Sequence, residues 1–309
     1  MRPVSETPLL TGVVVHWHNE ELLAELVRAW PRDPRFELLV VDNGSSTPLP
    51  DGVRVLSPGR NLGFAGGANL GAAEAKGAVL LILNPDVVPA DGALDRLLEG
   101  FAALPDAAGL APRLTGPAGE SQAAWQLRRL PTPWQCLLHT LPVPVPGESA
   151  AEPAAGDAVE QPAAAALALR REALAAVGGL DAGFHPAWFE DVDLALRLRE
   201  AGLVLRYWPA ARFQHRLGST VPRLGYGTFL WIYYRNLTRY LGKHHGPGWA
   251  LAARAALVPG VLIRLLLLPL RRPRRAASRG EAWRGLLAVL AGALSGWARP
   301  RRLAEEAAP

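Results

Sequence analysis

Residues 78–86 read AVLLILNPD, an apolar run that ends in a proline and a carboxylate. An unbroken apolar run of this length is typical of a strand buried on both faces, and Pro85 is expected to end it. Residues 11–17 (TGVVVHW) and 36–46 (FELLVVDNGSS) repeat the pattern, each separated from the next by a helical segment. Apolar strands alternating with amphipathic helices predict a parallel sheet covered on both faces, an α/β fold. Ligands of such folds bind at the carboxyl ends of the strands.

Polar residues follow two of these strands where the strands end. Asp42 and Asn43 come after the second strand, and Asn84 and Asp86 come after AVLLIL. We therefore expect both groups on the same rim of the sheet. Asp86 offers a hard oxygen ligand for a divalent cation beside a diphosphate, and Asp42 can accept the imide N–H of uracil or thymine. The plainer interpretations are a turn-forming Asp42 and an ordinary strand-to-turn sequence at Asn84.

The stretch RNLGFAGGANLG, residues 60–71, contains several glycines but is not a dinucleotide-binding fingerprint. Its glycines do not have the spacing G-x-G-x-x-G, and it does not follow the first strand. The spacing predicts a loop and a helix start instead. Such a backbone can approach a ligand closely, because glycine has no Cβ.

The stretch WFEDVDLALRLREAG, residues 188–202, places Glu190, Asp191 and Asp193 at the start of an amphipathic helix. Carboxylates at that position are also ordinary helix-start residues, because they interact with the free N–H groups and the helix dipole. Asp193 is expected to face outward in that role. His215, in FQHRLGST, ends a strand and is either a structural histidine or a metal ligand.

Charge is distributed unevenly along the 309 residues, whose formal net charge is +5. Residues 1–215 carry a net charge of −8, and residues 216–309 carry +13. An acidic body with a basic tail indicates that the tail works near an anionic surface or ligand. The single cysteine, Cys136, excludes an internal disulfide framework and fits a reducing compartment. The first apolar run reads as a strand, so a cytoplasmic protein without a secretory signal is expected.

The C-terminal part is predicted to be helical from about residue 224. The segment 249–275 resembles a membrane span, but Arg254, Pro259 and Arg264 interrupt it. The apolar runs that remain are shorter than the about 18–20 residues required to cross a membrane. Amphipathic helices lying on a membrane fit it better, and a helical pair packed on the core or on a second subunit is the alternative. Leu, Ala and Trp at helical spacing favour a lipid surface over nucleic acid as the partner of the basic tail.

Two segments between the motifs carry less information. Residues 140–163 are rich in Pro, Ala and Gly and are predicted to be a mobile surface loop. LVLRYWP (203–209) and ARFQHR (211–216) are predicted to be two separate strands.

The order of these motifs resembles family 2 glycosyltransferases of the GT-A fold, and most closely the rhamnosyltransferase branch that builds bacterial cell-surface polysaccharides. The resemblance runs from residue 10 to residue 240 and rests on six motifs in family order. It implies a mixed, mainly parallel sheet flanked by helices. It also implies a catalytic domain over residues 1–240, followed by a basic, amphipathic helical extension over 241–309.

The resemblance also implies roles for individual residues. Asp191 matches the catalytic base, Glu190 helps to hold the acceptor or the base, and Asp86 with His215 holds Mg²⁺ or Mn²⁺. Donor binding falls to a set of residues around the strand ends: Asp42, Asn43, Asn61, Gly63, Gly67 and Asn84. The sequence departs from the family at HWH, residues 16–18, where Asn-Tyr-Asn or Asn-Trp-Asn is usual, so base recognition is expected to differ there.

The implied activity is an inverting, metal-dependent transfer of a sugar, rhamnose, from a dTDP- or UDP-linked donor. The acceptor is a cell-surface glycan or a polyprenyl-diphosphate-linked glycan, and the enzyme acts at the inner face of the cell membrane, with no nucleic acid partner. A sugar-1-phosphate nucleotidyltransferase is disfavoured, because HWHNEEL lacks the Gly-rich basic loop after the first strand. A non-catalytic nucleotide-sugar or glycan-binding scaffold of a polysaccharide assembly complex remains the alternative.

Overall fold

The computed structural model describes residues 7–45, 49–50, 52–147, 151–217, 224–270 and 272–297. Ser46 of DNGSS and the GST of HRLGST lie outside these residues. The described residues form two compact units. Unit 1 comprises residues 7–130, 151–186 and 190–217, and unit 2 comprises residues 131–147, 187–189 and those from 224 onward. The predicted domain boundary at residue 240 lies within a helix of unit 2, and the extent of the catalytic domain stays a prediction.

The described residues form eleven strands, ten α-helices and one 3₁₀ turn. They are β1 (Leu10–His16), α1 (Glu20–Ala29), β2 (Phe36–Asp42), β3 (Arg54–Leu56), α2 (Gly63–Glu74), β4 (Val79–Leu83), β5 (Val87–Pro89), α3 (Ala93–Ala103), β6 (Ala107–Thr115), α4 (Ala123–Gln126), β7 (Leu127–Arg128), α5 (Pro133–Thr140), β8 (Ala158–Val159), β9 (Gln161–Pro162), β10 (Ala166–Arg170), α6 (Arg171–Ala176), a 3₁₀ turn (Ala182–Phe184), α7 (Glu190–Glu200), β11 (Val204–His215), α8 (Tyr226–His245), α9 (Pro247–Leu267) and α10 (Arg279–Ser295). Unit 2 contains α5, α8, α9 and α10, and unit 1 contains the remaining elements.

The main sheet of unit 1 has nine strands within the described residues, in the order β3-β2-β1-β4-β10-β6-β11-β5, with β8 beside β11. Neighbours among β1 to β4 run parallel, and β6 runs parallel to β11. β10 runs antiparallel to both β4 and β6, and β5 runs antiparallel to β11. The mixed, mainly parallel sheet flanked by helices confirms the predicted fold class.

The strands at the centre of the sheet are buried on both faces. Every residue of β1 and of β4 is buried, which explains why their sequences are continuous apolar runs rather than alternating ones. The small residues of α2 let this helix lie close to the sheet. A Cβ on Gly71 would come within 2.3 Å of Val13, and one on Gly67 within 2.8 Å of Val15.

Two local predictions for unit 1 were wrong. LVLRYWP and ARFQHR form one strand, β11, because a shift of register between Trp208 and Arg212 absorbs the interruption at Pro209. The segment 140–163 is not simply a surface loop. Residues 161 and 162 form β9, and Gln161 is buried.

Unit 2 is a helical bundle built around α8. Aromatic and aliphatic residues of α8, α9 and α10 form its core, including Phe229, Leu257 and Leu286. Two glycines allow the close crossing of α8 and α10, since a Cβ on Gly285 would lie 2.6 Å from the Cα of Gly227. The helices of unit 2 therefore pack on one another, and their predicted place on a membrane, or else on the core or a second subunit, stays a prediction.

The helix α9 is continuous over 21 residues. Arg254, Pro259 and Arg264 interrupt the apolar run but not the helix: both arginines donate hydrogen bonds within unit 2, and the helix continues through the proline. The predicted place of this helix on a membrane stays a prediction. Among the described helices, α9 alone is long and apolar enough to cross a membrane, judged by length and composition, and 28% of its most apolar stretch is buried.

Candidate active site

Asp86 and His215 lie side by side because two strands pair at the edge of the sheet. Asp86 precedes β5, His215 ends β11, and antiparallel pairing places His215 opposite Val87. Asp86 Oδ1 lies 3.6 Å from His215 Nε2, and both side chains are buried. The structure therefore brings together two residues that the sequence separates by more than a hundred positions.

Gln122 fixes the orientation of the His215 ring. Its Nε2 donates to the main-chain carbonyl of His215 at 2.9 Å, so its Oε1 accepts from the ring Nδ1, also at 2.9 Å. With the proton on Nδ1, the lone pair of Nε2 is available on the side of Asp86. Burial lowers the pKa of His215 and outweighs the attraction of the Asp86 charge, which favours the neutral ring.

A buried carboxylate beside a neutral imidazole is a donor pair that suits a divalent cation. Two ligands that each lie about 2.1 Å from one ion are roughly 3–4 Å apart, which fits the 3.6 Å between Asp86 and His215. No cluster of three or more His, Cys, Asp or Glu that could hold a metal occurs in the described part of the chain. Two protein ligands leave room for phosphate oxygens and water, as is common for Mg²⁺.

Asn84 forms the turn that carries the chain from β4 to Asp86. Its N–H donates to the carbonyl of Ala165 at 2.9 Å, and its own carbonyl accepts from the N–H of Val87 at 3.2 Å. These bonds fix the position of the Asp86 backbone. The role of the Asn84 side chain in donor binding stays a prediction.

Glu190 and Asp191 begin α7 but lie in different environments. Glu190 is buried, and its burial, reinforced by the charges of Asp191 and Asp193, raises its pKa well above the ordinary value. Its Oε2 has no hydrogen-bond partner among the described residues. Asp191 is half-buried and accepts a hydrogen bond from Gln161 Nε2 at 3.4 Å. A half-buried carboxylate beside an acid whose pKa is raised is an arrangement suited to accept a proton from a substrate.

Asp193 does not face outward as predicted. Its side chain is fully buried and pairs with the guanidinium of Arg197 one turn later, with Nη2 at 2.7 Å and Nε at 2.8 Å from Oδ2. Arg197 also donates to the carbonyl of Val177. The third acid of the motif therefore anchors α7 in unit 1, and the plain helix-start interpretation does not describe it.

Short contacts through α4 connect the two groups of acids. Gln122, before α4, holds His215, and the carbonyl of Gln126, at the end of α4, accepts from the N–H of Ala163 at 2.8 Å. The two glutamines are about 6 Å apart along the helix, and Ala163 lies two residues from the glutamine that contacts Asp191. These contacts lie within unit 1 and connect the Asp191 group to the His215 group through α4 and β9. The glutamines carry no recognisable sequence motif, so sequence reasoning missed them.

His16 organises the turn that contains Asp42. Its Nε2 accepts from the N–H of Asn19 at 3.2 Å, and its Nδ1 therefore donates to Ser45 Oγ at 3.0 Å. The N–H of Ser45 donates in turn to Asp42 Oδ1 at 2.9 Å. Burial lowers the pKa of His16 against the opposing charges of Glu20 and Asp42. The turn-forming interpretation of Asp42 is thus confirmed. The recognition of a uracil or thymine ring by Asp42 stays a prediction.

Asn43 and Asn61 join the end of β2 to the start of α2. Asn43 Nδ2 donates to Asn61 Oδ1 at 2.8 Å, and Asn43 Oδ1 accepts from the N–H of Leu62 at 2.7 Å. Gly63 has a φ of +72°, and a Cβ there would lie 2.6 Å from His185 Nδ1. Packing therefore explains Gly63, and the contact with Val15 explains Gly67. The donor-binding roles of all four stay predictions.

Comparison with known proteins gives matches over most of the chain. Residues 13–150 match the sequence profile of Glycosyl transferase family 2. An N-acetylglucosaminyl-diphospho-decaprenol L-rhamnosyltransferase of Mycobacterium tuberculosis is 28% identical over 287 residues, which cover 84% of this chain and 92% of that protein. A pre-mycofactocin glycosyltransferase of the same organism is 32% identical over 189 residues, which cover 58% of this chain and 37% of that protein.

A solved structure shares the fold. It is a mannosyltransferase from Pyrobaculum calidifontis in complex with GDP-Man and Mn²⁺. The two chains align with a TM-score of 0.51 at 16% identity, over 94% of this chain and 87% of the other. At that identity the likeness concerns the fold, which in that protein belongs to a sugar transferase.

Proposed function

Because residues 13–150 match the profile of Glycosyl transferase family 2 and a rhamnosyltransferase is 28% identical over most of the chain, we propose that this protein is a family 2 glycosyltransferase. It transfers a sugar from a nucleoside-diphosphate donor to a glycan acceptor with inversion at the anomeric carbon. The sugar is rhamnose, and the acceptor is a cell-surface glycan or a polyprenyl-diphosphate-linked glycan. The Mycobacterium tuberculosis relative supports this choice, since its name states an L-rhamnosyl transfer to an N-acetylglucosaminyl-diphospho-decaprenol.

The observation that carries the proposal is the pair formed by Asp86 and His215. A carboxylate and a neutral imidazole nitrogen 3.6 Å apart, with the ring fixed by Gln122, form a preorganised donor set for Mg²⁺ or Mn²⁺. The Mn²⁺ named with the Pyrobaculum calidifontis enzyme supports a divalent cation. When bound, such an ion stabilises the negative charge that develops on the departing diphosphate.

Asp191 is the catalytic base in this proposal. Its carboxylate takes the proton of the acceptor hydroxyl while that oxygen bonds to the anomeric carbon and the bond to the diphosphate breaks. A single displacement of this kind inverts the anomeric centre. The neighbouring Glu190, whose raised pKa favours the protonated form, donates a hydrogen bond that holds the acceptor or Asp191. Gln161, bound to Asp191, positions the base.

The donor nucleotide binds at the ends of β1, β2 and β4. Asp42 accepts the imide N–H of uracil or thymine with Oδ2, since Oδ1 accepts from Ser45. The remaining donor residues are Asn43, Asn61, Gly63, Gly67 and Asn84. Both dTDP- and UDP-sugars present the same imide edge, so the proposal covers both nucleotides.

The enzyme is proposed to act at the cytoplasmic face of the cell membrane. A polyprenyl-diphosphate acceptor is anchored there, and the charge of +13 on residues 216–309 suits an anionic surface. The helices of unit 2 supply the membrane contact.

A donor screen tests the proposed activity. Purified full-length protein is incubated with dTDP-rhamnose and a panel of UDP- and GDP-sugars, with Mg²⁺, with Mn²⁺ or with a chelator. Donor hydrolysis and the shift in melting temperature are measured. We expect a cation-dependent stabilisation and slow hydrolysis with dTDP-rhamnose. Binding without turnover, even with a polyprenyl-diphosphate-linked acceptor, would favour the non-catalytic scaffold, and a response to no nucleotide sugar would overturn both.

A further inference from the structure

The polarity of α9 is opposite to that of an ordinary surface helix. The exposed face of α9, which points away from the other helices of unit 2 and is called the outer face here, contains no charged residue. Its exposed residues are Leu251, Ala255, Pro259, Leu262, Ile263, Leu266 and Leu267, and exposed Leu270 follows at the end of the helix. Leu266 and Leu270 are 78% and 79% exposed. A helix that faced water would place polar side chains there.

The arginines of α9 point the other way, into unit 2. Arg254 Nε donates to the carbonyl of Ala293 at 2.8 Å, near the end of α10. Arg264 donates to the carbonyls of Thr140 and Leu141, at 2.6 and 2.9 Å, at the end of α5. Both charged groups are thus satisfied by protein while leucines face outward. This arrangement suits a helix whose outer face meets an apolar medium.

A basic segment follows the outer face directly. Five arginines between α9 and the first turns of α10 are exposed, and we call them the basic turn: Arg272, Arg274, Arg275, Arg279 and Arg284. Trp283 stands among them and is 47% exposed. The acid of this region, Glu281, is used within unit 2, where it accepts from the N–H groups of Tyr226 and Ala277. The basic turn therefore presents positive charge beside the apolar face.

We propose that the outer face of α9 and the basic turn form one docking surface for an anionic lipid bilayer. The helix lies in the plane of the interface with its leucines at the acyl boundary, while the arginines contact lipid phosphates and Trp283 lies at the headgroup level. The proposal deepens the membrane association of the proposed function, and it rests on unit 2 alone.

Two observations favour an anionic bilayer over other occupants. In a contact between two copies through this surface, the arginines of the basic turn would meet no acid, because the outer face contains no charged residue and Glu281 is used within unit 2. An anionic lipid surface supplies the opposite charge instead. A transmembrane orientation of α9 is disfavoured because protein holds Arg254 near one end and Arg264 near the other, so one side of the helix is covered along its length.

Vesicle flotation with the full-length protein tests the proposal. Vesicles of phosphatidylcholine with phosphatidylglycerol are compared with phosphatidylcholine alone, without donor sugar or cation. Leu262→Glu is expected to weaken binding to the anionic vesicles about tenfold or more, and Leu262→Glu with Leu266→Glu is expected to abolish it. The matched control is Leu9→Glu in unit 1, because Leu9 is 44% exposed and Leu262 is 48% exposed.

A second pair of variants separates the electrostatic part. Arg274→Glu with Arg279→Glu is expected to weaken binding to anionic vesicles by about tenfold or more and to lower its dependence on salt. Arg28→Glu with Arg199→Glu, at exposed positions of unit 1, changes the net charge equally and is the control. Melting temperatures confirm that all the variants are folded.

Three results would overturn the proposal. The first is flotation of the double leucine variant equal to that of the wild type. The second is a wild-type dimer in solution that the double leucine variant dissociates while vesicle binding is unchanged, which would make the face a contact between copies. The third is retention of the protein in membranes after alkaline carbonate, which would indicate a spanning helix. Because no donor or cation is present, none of these results depends on the catalytic assignment.

Discussion

The two groups of acids in unit 1 differ in what stands beside the carboxylate. Asp86 lies beside a buried, neutral imidazole, and Gln122 fixes that ring. Glu190 lies beside two further carboxylates, Asp191 and Asp193, and its own burial raises its pKa. The first environment leaves a carboxylate and a lone pair together, which suits a cation. The second favours one protonated acid next to a half-buried carboxylate, which suits proton transfer.

The comparison shows that the neighbours of an acid decide what it can do. Asp86 follows a strand and Glu190 begins a helix, and neither position alone assigns a function. In the Asp86 group the partner is an imidazole whose pKa is lowered by burial, so its Nε2 lone pair is available to a cation. In the Glu190 group the partners are acids, and Arg197 neutralises only Asp193. Substitutions that separate cation binding from proton transfer therefore test whether the two environments have two functions.

The largest effect is expected for Asp191→Asn. Without the carboxylate, nothing takes the proton of the acceptor hydroxyl, so the rate of transfer should fall by about 10²–10⁴-fold. The shift in melting temperature caused by donor and cation should remain close to that of the wild type, because the Asp86 group is intact. Transfer is measured with a lipid-linked acceptor, and donor binding by the shift in melting temperature. Retained turnover would refute the assignment of the base. Asp91→Asn, at an exposed position, is the control.

Asp86→Ala should remove cation-dependent donor binding together with transfer. This variant loses the only carboxylate of the proposed cation site, so the melting shift caused by donor with Mg²⁺ or Mn²⁺ should disappear and transfer should fall by about 10²-fold. Asp91→Ala is the matched control at an exposed position five residues later. A cation-dependent melting shift that survives in Asp86→Ala would place the cation elsewhere.

Gln122→Leu tests the positioning of the imidazole without removing a ligand. The His215 ring loses the acceptor for Nδ1, so we expect the cation concentration required for half-maximal activity to rise about tenfold or more, with a smaller change in the rate at saturating cation. Gln214→Leu, beside His215 on the same strand, is the control. A lower rate without any change in the cation requirement would indicate that Gln122 has a purely structural role.

The sequence predicts the frame of these sites better than their surroundings. The apolar runs of β2 and β4 and the polar residues at their ends place Asp42, Asn84 and Asp86 on one rim, because parallel strands end at the same edge. The pairing of β11 with β5, which brings His215 to Asp86, depends on an antiparallel contact between distant segments. The resemblance to a family supplied that pair, and the local pattern alone did not.

Orientation is what the sequence could not provide. An acid at a helix start can face water or be buried, and the local sequence does not distinguish the two. Asp193 is buried against Arg197, so the prediction that it faces outward was wrong. The arginines of α9 were likewise taken as interruptions, because counting charges along a helix does not show which way they point. Gln122 and Gln161 act through single long-range hydrogen bonds, and no spacing rule marks such contacts.

The smallest effect, and the one that tests the Glu190 environment directly, is expected for Glu190→Gln. Burial raises the pKa of Glu190 in the folded protein, so the folded state holds a proton that the unfolded chain releases at lower pH. The stability that comes from this proton is complete below the ordinary glutamate pKa and is lost as pH rises toward the folded-state value. Glutamine keeps the neutral form at every pH. The variant should therefore melt about 2–4 °C above the wild type at pH 8, and the difference should vanish near pH 4, where the wild type is also neutral in both states. A difference that stays constant between these two pH values would mean that Glu190 is ionised in the folded protein, and the contrast between the two groups of acids would then be lost.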